Sequence, residues 1–335
     1  MEANPIRGAM VIMGIVLSAG AAIPGGPGPQ ISIVTDADPG PGARHGLAKL
    51  QAALAARSLQ CERLTSLAGA RGQFIVLAGL AGAKGPAAER LKANRAPLPE
   101  GPEALVIRHI SLAGRKGLLV VGSDDRGLMY GLLAVAERVG WAPDPASPFS
   151  EVGDVAERPY VIERAVSKFT FHPGVFEKQL FDERYWERYF DLLARNRFDT
   201  FVLVFGYENG GYFAPPYPYF FDLLEFPDVR VVGLTPEKQR RYVQALKRVI
   251  RQAHDHGLDF TLGIWDHIYR GGVQGPSDHA RRPTKGLVWG LTARNLIPYT
   301  RAALTRFLEM FPGIDALQFR MHGESGLKRS EMPRF

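Results

Sequence analysis

The sequence predicts an α/β protein: a small α/β N-terminal domain followed by a partial (β/α)8 barrel of about four strand-helix units. Three observations carry this expectation. Residues 30–145 alternate short apolar runs with segments of helical spacing. Residues 155–335 repeat a longer strand-then-helix beat, and each strand is a continuous apolar run, as parallel strands buried on both faces require. Between the two, "WAPDPASPFSEVGDVAERP" is rich in proline and small polar residues and marks a domain boundary.

In the first part, "ISIVTD" reads as a strand and "RHGLAKLQAALAARS" as a helix of good helix formers. "QFIVLAG" is a second strand. "EALVIRHI" and "KGLLVVGSD" flank "SLAGR", which suits a hairpin. The next helix, "LMYGLLAVAERVG", places Leu128, Leu132, Val135, Ala136 and Val139 on one face and has Gly140 as its stop signal. Asp124 and Asp125 precede that helix and read as caps, because short carboxylates accept from free N–H groups at helix starts.

In the second part, "VIERAVSKF" is a strand, and "DERYWERYFDLLARNR" is a helix with a stripe of Tyr185, Tyr189, Leu192 and Leu193. "DTFVLVFG" follows as a strand. The next helix is marked by Thr235 as N-cap, Pro236 and Glu237 in its first turn, and Gly257 at its end. "LDFTLGIWD" is a strand, a further helix starts near Pro298, and "IDALQFRMHGE" is the fourth strand. A closed eight-fold barrel takes about 250 residues. The segment therefore reads as the front half of a TIM barrel, or as an open four-stranded sheet complete in itself.

Composition narrows the function classes. The chain has 335 residues, 46% hydrophobic and 22% charged, enough for two cores. Its formal net charge of +7 comes from scattered arginines, with no basic run interleaved with aromatics, which argues against nucleic acid as a partner. Cys61 is the single cysteine, which excludes a disulfide framework and a cysteine-based metal site. Residues 1–25 carry Arg7, an apolar stretch and the small-residue signal Ala19-Gly20-Ala21, the pattern of a removed export signal. A secreted or periplasmic location follows as an expectation. The stretch is short and glycine-broken for a membrane span, and no other run has the length to cross a bilayer.

Chemistry in parallel α/β folds collects at the C-terminal ends of the strands, where loops converge on one face. The first strand ends at Lys168 and His172. The second leads into Tyr207, Glu208 and Asn209, the third into Trp265, Asp266 and His267, and the fourth into Arg320, His322 and Glu324. Glu324 is the expected catalytic group, because a carboxyl partly desolvated beside aromatics can act as a general acid near neutral pH. The others are expected to bind substrate: aromatics as apolar platforms, Arg320 as a forked donor. No H-E-x-x-H or comparable spacing occurs, so neither metal nor cofactor is expected. His254 and His256 close a helix, where cationic side chains favour the dipole.

One stretch resembles a known family. "EALVIRHISLAGRKGLLVVGSDDRGLMYGLLAVAERV" is similar to the domain that precedes the barrel in family 20 β-N-acetylhexosaminidases and α-glucuronidases. It contains the pattern Gly122, Asp124, Arg126, Gly127, Tyr130 and Gly131. Pro159 followed five residues later by Arg164 resembles the hexosaminidase barrel entry, which implies that Arg164 binds sugar hydroxyls. The hexosaminidase Asp-Glu pair is replaced here by Gly323-Glu324. The acid position is kept and the acetamido-orienting aspartate is not, so the resemblance favours an α-glucuronidase-like or related exo-glycosidase. The expected partner is an oligo- or polysaccharide, uronic-acid-containing chains among them, with the second carboxylate supplied by later strands. A non-catalytic carbohydrate-binding or scaffold protein is the alternative, and metal-dependent hydrolysis a further one.

Overall fold

The structure is a computed structural model that describes residues 30–94, 97–170, 173–205, 207–208, 213–265, 282–292 and 294–320. The expected export signal lies outside these residues. No helix among them is long and apolar enough to cross a membrane.

The N-terminal domain is built from β1 (Ile31–Thr35), α1 (Pro41–Ala55), β2 (Cys61–Leu64), β3 (Phe74–Leu80), α2 (Pro86–Ala93), β4 (Leu105–Leu112), β5 (Arg115–Gly122), α3 (Asp125–Trp141) and β6 (Val155–Glu157). Its six strands lie in the order β2-β1-β3-β5-β4-β6, with β1, β2, β3 and β5 parallel. The hairpin read from the sequence is present: β4 runs antiparallel to β5 across Ala113 and Gly114, both at positive φ, the backbone that favours a two-residue turn. β6 pairs with β4, so this sheet takes in residues 155–157, which lie within the proline-rich segment and were placed by the sequence at the start of the barrel part. Helices α1 and α3 cover one face of the sheet, and all five residues expected on the inner face of α3 are buried.

The second domain contains β7 (Ala165–Phe169), α4 (Pro173–Phe181), α5 (Glu183–Arg195), β8 (Thr200–Phe205), β9 (Tyr207–Glu208), β10 (Phe213–Ala214), β11 (Arg230–Val231), α6 (Pro236–Asp255), β12 (Asp259–Trp265), β13 (Val288–Trp289), α7 (Leu296–Met310) and β14 (Ala316–Arg320). Its main sheet has the order β14-β12-β8-β7, every pair parallel and in chain sequence, as in consecutive strands of a barrel. Helix α6 begins as expected: the Thr235 hydroxyl accepts from Lys238 N at 3.3 Å, and Gly257, at φ +73, ends the helix in a conformation that suits a residue without Cβ. On α5 the buried stripe is Trp186, Phe190 and Leu193, whereas Leu192 is 55% exposed. The i, i+4, i+7 set that includes the tryptophan buries more apolar surface than the stripe read from the sequence, and so it decides the rotation of the helix.

The domains are joined by charges. Glu103, at φ +58 just before β4, buries its carboxylate with 7% of the side chain exposed. It pairs with Arg126 of α3 at 3.4 Å and with Arg164, which precedes β7. Arg126 in turn pairs with Asp259 at the start of β12 and donates to Gly257 O at 2.7 Å. Arg164 pairs with Asp199 at 3.0 Å and donates to Arg197 O at 2.6 Å. Burial pushes the Glu103 carboxyl above its ordinary range, an effect the nearby Arg164 partly offsets.

A second contact lies between α1 and the helices of the barrel domain. His45 and Lys49 of α1 reach Asp191 of α5 at 3.2 and 2.9 Å, and the His45 ring lies 4.3 Å from that of His256. His254 and His256 close α6, as expected, and the structure adds their partners. His254 pairs with Asp315 at 2.8 Å, and His256 is buried, with Nδ1 2.7 Å from Gln252 O and Nε2 3.5 Å from Glu187. Burial, reinforced by His45, depresses the His256 pKa.

Two outcomes follow. Glu103→Ala leaves two arginines facing each other across the interface and is expected to cost about 3–5 kcal/mol, read by chemical denaturation. An unchanged midpoint would mean that Asp199 and Asp259 alone hold these cations. For His256 the unfolded value, about 6.5, exceeds the folded one, so the unfolded chain binds protons first. Stability is complete above about pH 6.5 and falls as the pH drops below it. Asp191, held down to about 2 by His45 and Lys49 against the cost of burial, retains its contribution until the pH falls below about 4. Thermal melts between pH 7 and 5 should therefore lose their slope in His256→Phe and keep it in Asp191→Asn.

Candidate active site

Parallel pairing sets the four strand ends level. Phe169 of β7 is in register with Val204, Phe205 with Ile264, Ile264 with Phe319, and Trp265 with Arg320. The C-terminal tips of β7, β8, β12 and β14 therefore form one edge. Every candidate from the sequence except Arg164 belongs to a strand end or to the segment that immediately follows one.

Two registers place candidates directly. Trp265 and Arg320 end β12 and β14 as pairing partners, at backbone positions adjacent across the sheet. Tyr207 and Glu208 form β9, which folds back on β10 with Glu208 opposite Phe213 and Tyr207 opposite Ala214. One residue separates β8 from β9, so this hairpin rises directly from the strand edge. Asn209, Asp266, His267, His322 and Glu324 lie outside the described residues. Lys168, on β7, sits 5.4 Å from the centre of the Tyr185 ring.

β11 pairs antiparallel with β13, so the chain that follows the segment after β12 is anchored to residues 230–231. Tyr219 donates from its hydroxyl to Gly286 O at 2.9 Å, a second tie across the same gap. Beneath the edge, Phe205, Phe220, Phe307 and Phe311 pack edge-on and tilted at 4.5–6.0 Å, a rigid aromatic floor that resists shear of the strands.

Arg164 departs from the expectation. It stands before β7, at the opposite end of the sheet from the level tips. Its guanidinium is engaged by Glu103, by Asp199 at 3.0 Å and by the Tyr130 hydroxyl at 3.2 Å. A guanidinium with its donors directed at protein acceptors has few left for sugar hydroxyls. The structure gives it a joint rather than a subsite.

The same holds for the pattern that carries the family resemblance. Asp124 caps α3 by accepting from Gly127 N at 2.8 Å, and also accepts from Glu103 N at 2.7 Å. Asp125 accepts from Gly42 N at 2.7 Å and Ala43 N at 3.1 Å, so it caps α1 rather than α3. Tyr130 donates to Phe198 O at 3.2 Å in the barrel domain. A Cβ at Gly127 would lie 2.3 Å from Ala104 O, and one at Gly122 would lie 2.1 Å from Leu128 N. The motif fastens α3 to its neighbours and to the second domain. The Asp124 cap is legible in the sequence; the other ties are not, because their partners are far away along the chain and some lie in the second domain.

No family model matches this chain, and no curated protein does. Solved structures do. A GH138 enzyme described as targeting pectin rhamnogalacturonan II matches with a TM-score of 0.58 at 14% identity, over 86% of this chain and 30% of that one. CpGH84D matches with a TM-score of 0.50 at 10% identity, over 87% of this chain and 40% of that one. The fold is glycosidase-like. Both matches run across the N-terminal domain and the four-stranded sheet together, and this chain spans less than half the length of either neighbour.

The four-stranded sheet is open on β14. Leu317 and Phe319 are register partners of Leu262 and Ile264, whose faces are buried under helices, yet they are 37% and 51% exposed. Among the described residues no helix covers them. Among the same residues, no group of three or more His, Cys, Asp and Glu is arranged to hold a metal ion.

A substitution checks the open face. Phe319→Lys is expected to change the stability of this chain by less than about 0.5 kcal/mol, whereas Phe260→Ala, fully buried on β12, should cost about 3–5 kcal/mol. Comparable losses in urea unfolding would show that β14 is covered.

Proposed function

We propose that this chain is the N-terminal domain and the front half of the catalytic barrel of a glycoside hydrolase that cleaves O-glycosyl bonds in oligo- or polysaccharides. One observation carries the reading: four parallel strands, in barrel order, end level on one edge, and the residue types a glycosidase needs follow those ends. The glycosidase-like fold of both domains supports it.

In this reading Glu324, four residues beyond β14, is the general acid. It donates its proton to the leaving glycosidic oxygen as the sugar gains oxocarbenium character. Trp265 and Tyr207 serve as platforms for sugar faces, while Glu208, Asn209, Asp266, His267 and His322 hold hydroxyls. Arg320 is assigned a substrate carboxylate, since a guanidinium binds one through two parallel hydrogen bonds. The α-glucuronidase-like type agrees with that assignment, as does the pectin target of the GH138 neighbour. The uncovered Leu317 and Phe319 call for further strand-helix units beyond β14, and the second carboxylate belongs on them.

Turnover of glycosides with poor leaving groups is the test, in a protein carrying the completed barrel. Glu324→Gln should lower kcat by about 10²–10⁴-fold. A variant that retains full activity on such substrates has no use for Glu324 as its acid. The second reading is a carbohydrate-binding scaffold, in which the aromatics and arginines hold sugar and nothing is turned over. Saccharide binding with no hydrolysis by the completed protein would favour it.

A further inference from the structure

A cavity of about 960 Å³ opens on the N-terminal domain where β1, β3 and β5 begin. Its floor is set by strand register. Phe74 of β3 lies opposite Lys116 of β5, and Lys116 lies opposite Ser111 of β4, two residues beyond His109. Side chains alternate along a strand, so Phe74, Lys116 and His109 share one face of the sheet. It is the face whose later positions, Val76 and Leu118, are buried under α1 and α3. Where those helices stop, the segment after α3 takes over: Phe149 stacks on Phe74 at 4.3 Å and 19°. The cavity is the space left between that segment and the strand ends.

Its fixed charge has one sign. Arg71, Arg115 and Lys116 line it beside His109, and no aspartate or glutamate does. Arg71 pairs with Glu62 at 2.9 Å, and the His109 ring lies 3.1 Å from Asp154. Arg115 and Lys116 have no carboxylate partner among the described residues. Arg115 donates to the carbonyls of Ala70 and Gly72 at 2.8 and 3.1 Å, and the exposed Lys116 has no ion pair. Gln73, Ser147 and Ser150 add neutral hydrogen-bonding groups to the same wall.

We infer that this cavity is an accessory binding site for a carboxylate-bearing saccharide. Two cations without a carboxylate partner select an anion, and Phe74 beside them, half-buried and backed by the buried Phe149, offers apolar surface that a small inorganic anion cannot use. The volume is at the upper end of the range for ligand pockets, about 300–1,000 Å³, so it admits more than one sugar ring. The saccharide class rests on the glycosidase reading, whereas the anionic character rests on the cavity alone. A site here would hold a charged chain on the N-terminal domain while the strand edge works elsewhere on it.

Trigalacturonate, its methyl ester and inorganic phosphate are the probes, titrated by calorimetry into the full chain and into Lys116→Glu. Lys116 is exposed, and an unchanged melting temperature of the variant confirms that it folds. Trigalacturonate should bind the parent at least tenfold more tightly than it binds Lys116→Glu, and at least tenfold more tightly than the ester. Its affinity should fall as salt rises from about 50 to about 500 mM. Equal binding to parent and variant, equal binding of the ester, or no binding overturns the inference. Phosphate that competes at the same affinity overturns its saccharide part. Should the completed protein cleave no glycoside while Lys116→Glu still weakens trigalacturonate binding, the accessory site stands and the catalytic reading falls.

Discussion

A single buried carboxylate sets the relation between the two halves of this protein. Glu103 lies in the N-terminal domain, and its ion pairs run through Arg126 and Arg164 to Asp259 and Asp199, which sit at the starts of barrel strands. An ion buried this far from water is unfavourable unless its partners are in place, so the pairing permits few docking angles. Arg126 also donates to the carbonyl of Gly257, the residue that ends α6, so the same joint positions a helix as well as two strands. The left-handed turn at Glu103 directs its carboxylate to that meeting point.

From that joint upward, the barrel half is a matter of register. The starts of β7, β8 and β12 are tied to one another through Asp199, whose carboxylate accepts from Arg164 N at 3.1 Å and whose carbonyl accepts from Asp259 N at 2.8 Å. Strands anchored at their starts, parallel and of similar length, must finish level. The level edge is what converts four separate loops into one surface. The aromatic packing under it, with Trp186, Phe190 and Phe201 on the helix side, holds that geometry against twisting.

Much of this was legible from residue patterns. The strand-helix beat, the β4–β5 hairpin, the buried face of α3 and the Thr235 cap are local features, decided by neighbours three or four positions away or by turn chemistry. The readings that changed involve long-range partners. Leu192 was placed on the buried stripe of α5, but the packing of Trp186 against Phe201 rotates the helix away from it. Asp125 was read as a cap for the helix it begins and instead caps α1, 83 residues earlier in the chain. Arg164, assigned to substrate by resemblance, serves the domain joint. Of the site, the pairing of Trp265 with Arg320 and the hairpin bearing Tyr207 and Glu208 are on the structure, while Glu324 lies beyond the described residues.

Sequence alone was enough for the longest strands and helices and the chemical types gathered after each barrel strand, because periodicity and capping act within a turn or two, but not for the short elements β2, α2, β6 and α4. It could not say which charges meet. Ion pairs such as Glu103 with Arg164 join positions 61 residues apart, and no local pattern encodes that distance. A charged side chain reads alike in a sequence whether it faces a substrate or a buried carboxylate. Folding alone brings the partner close and removes the water, and that is what gives Arg164 its partners on both sides of the joint between the domains.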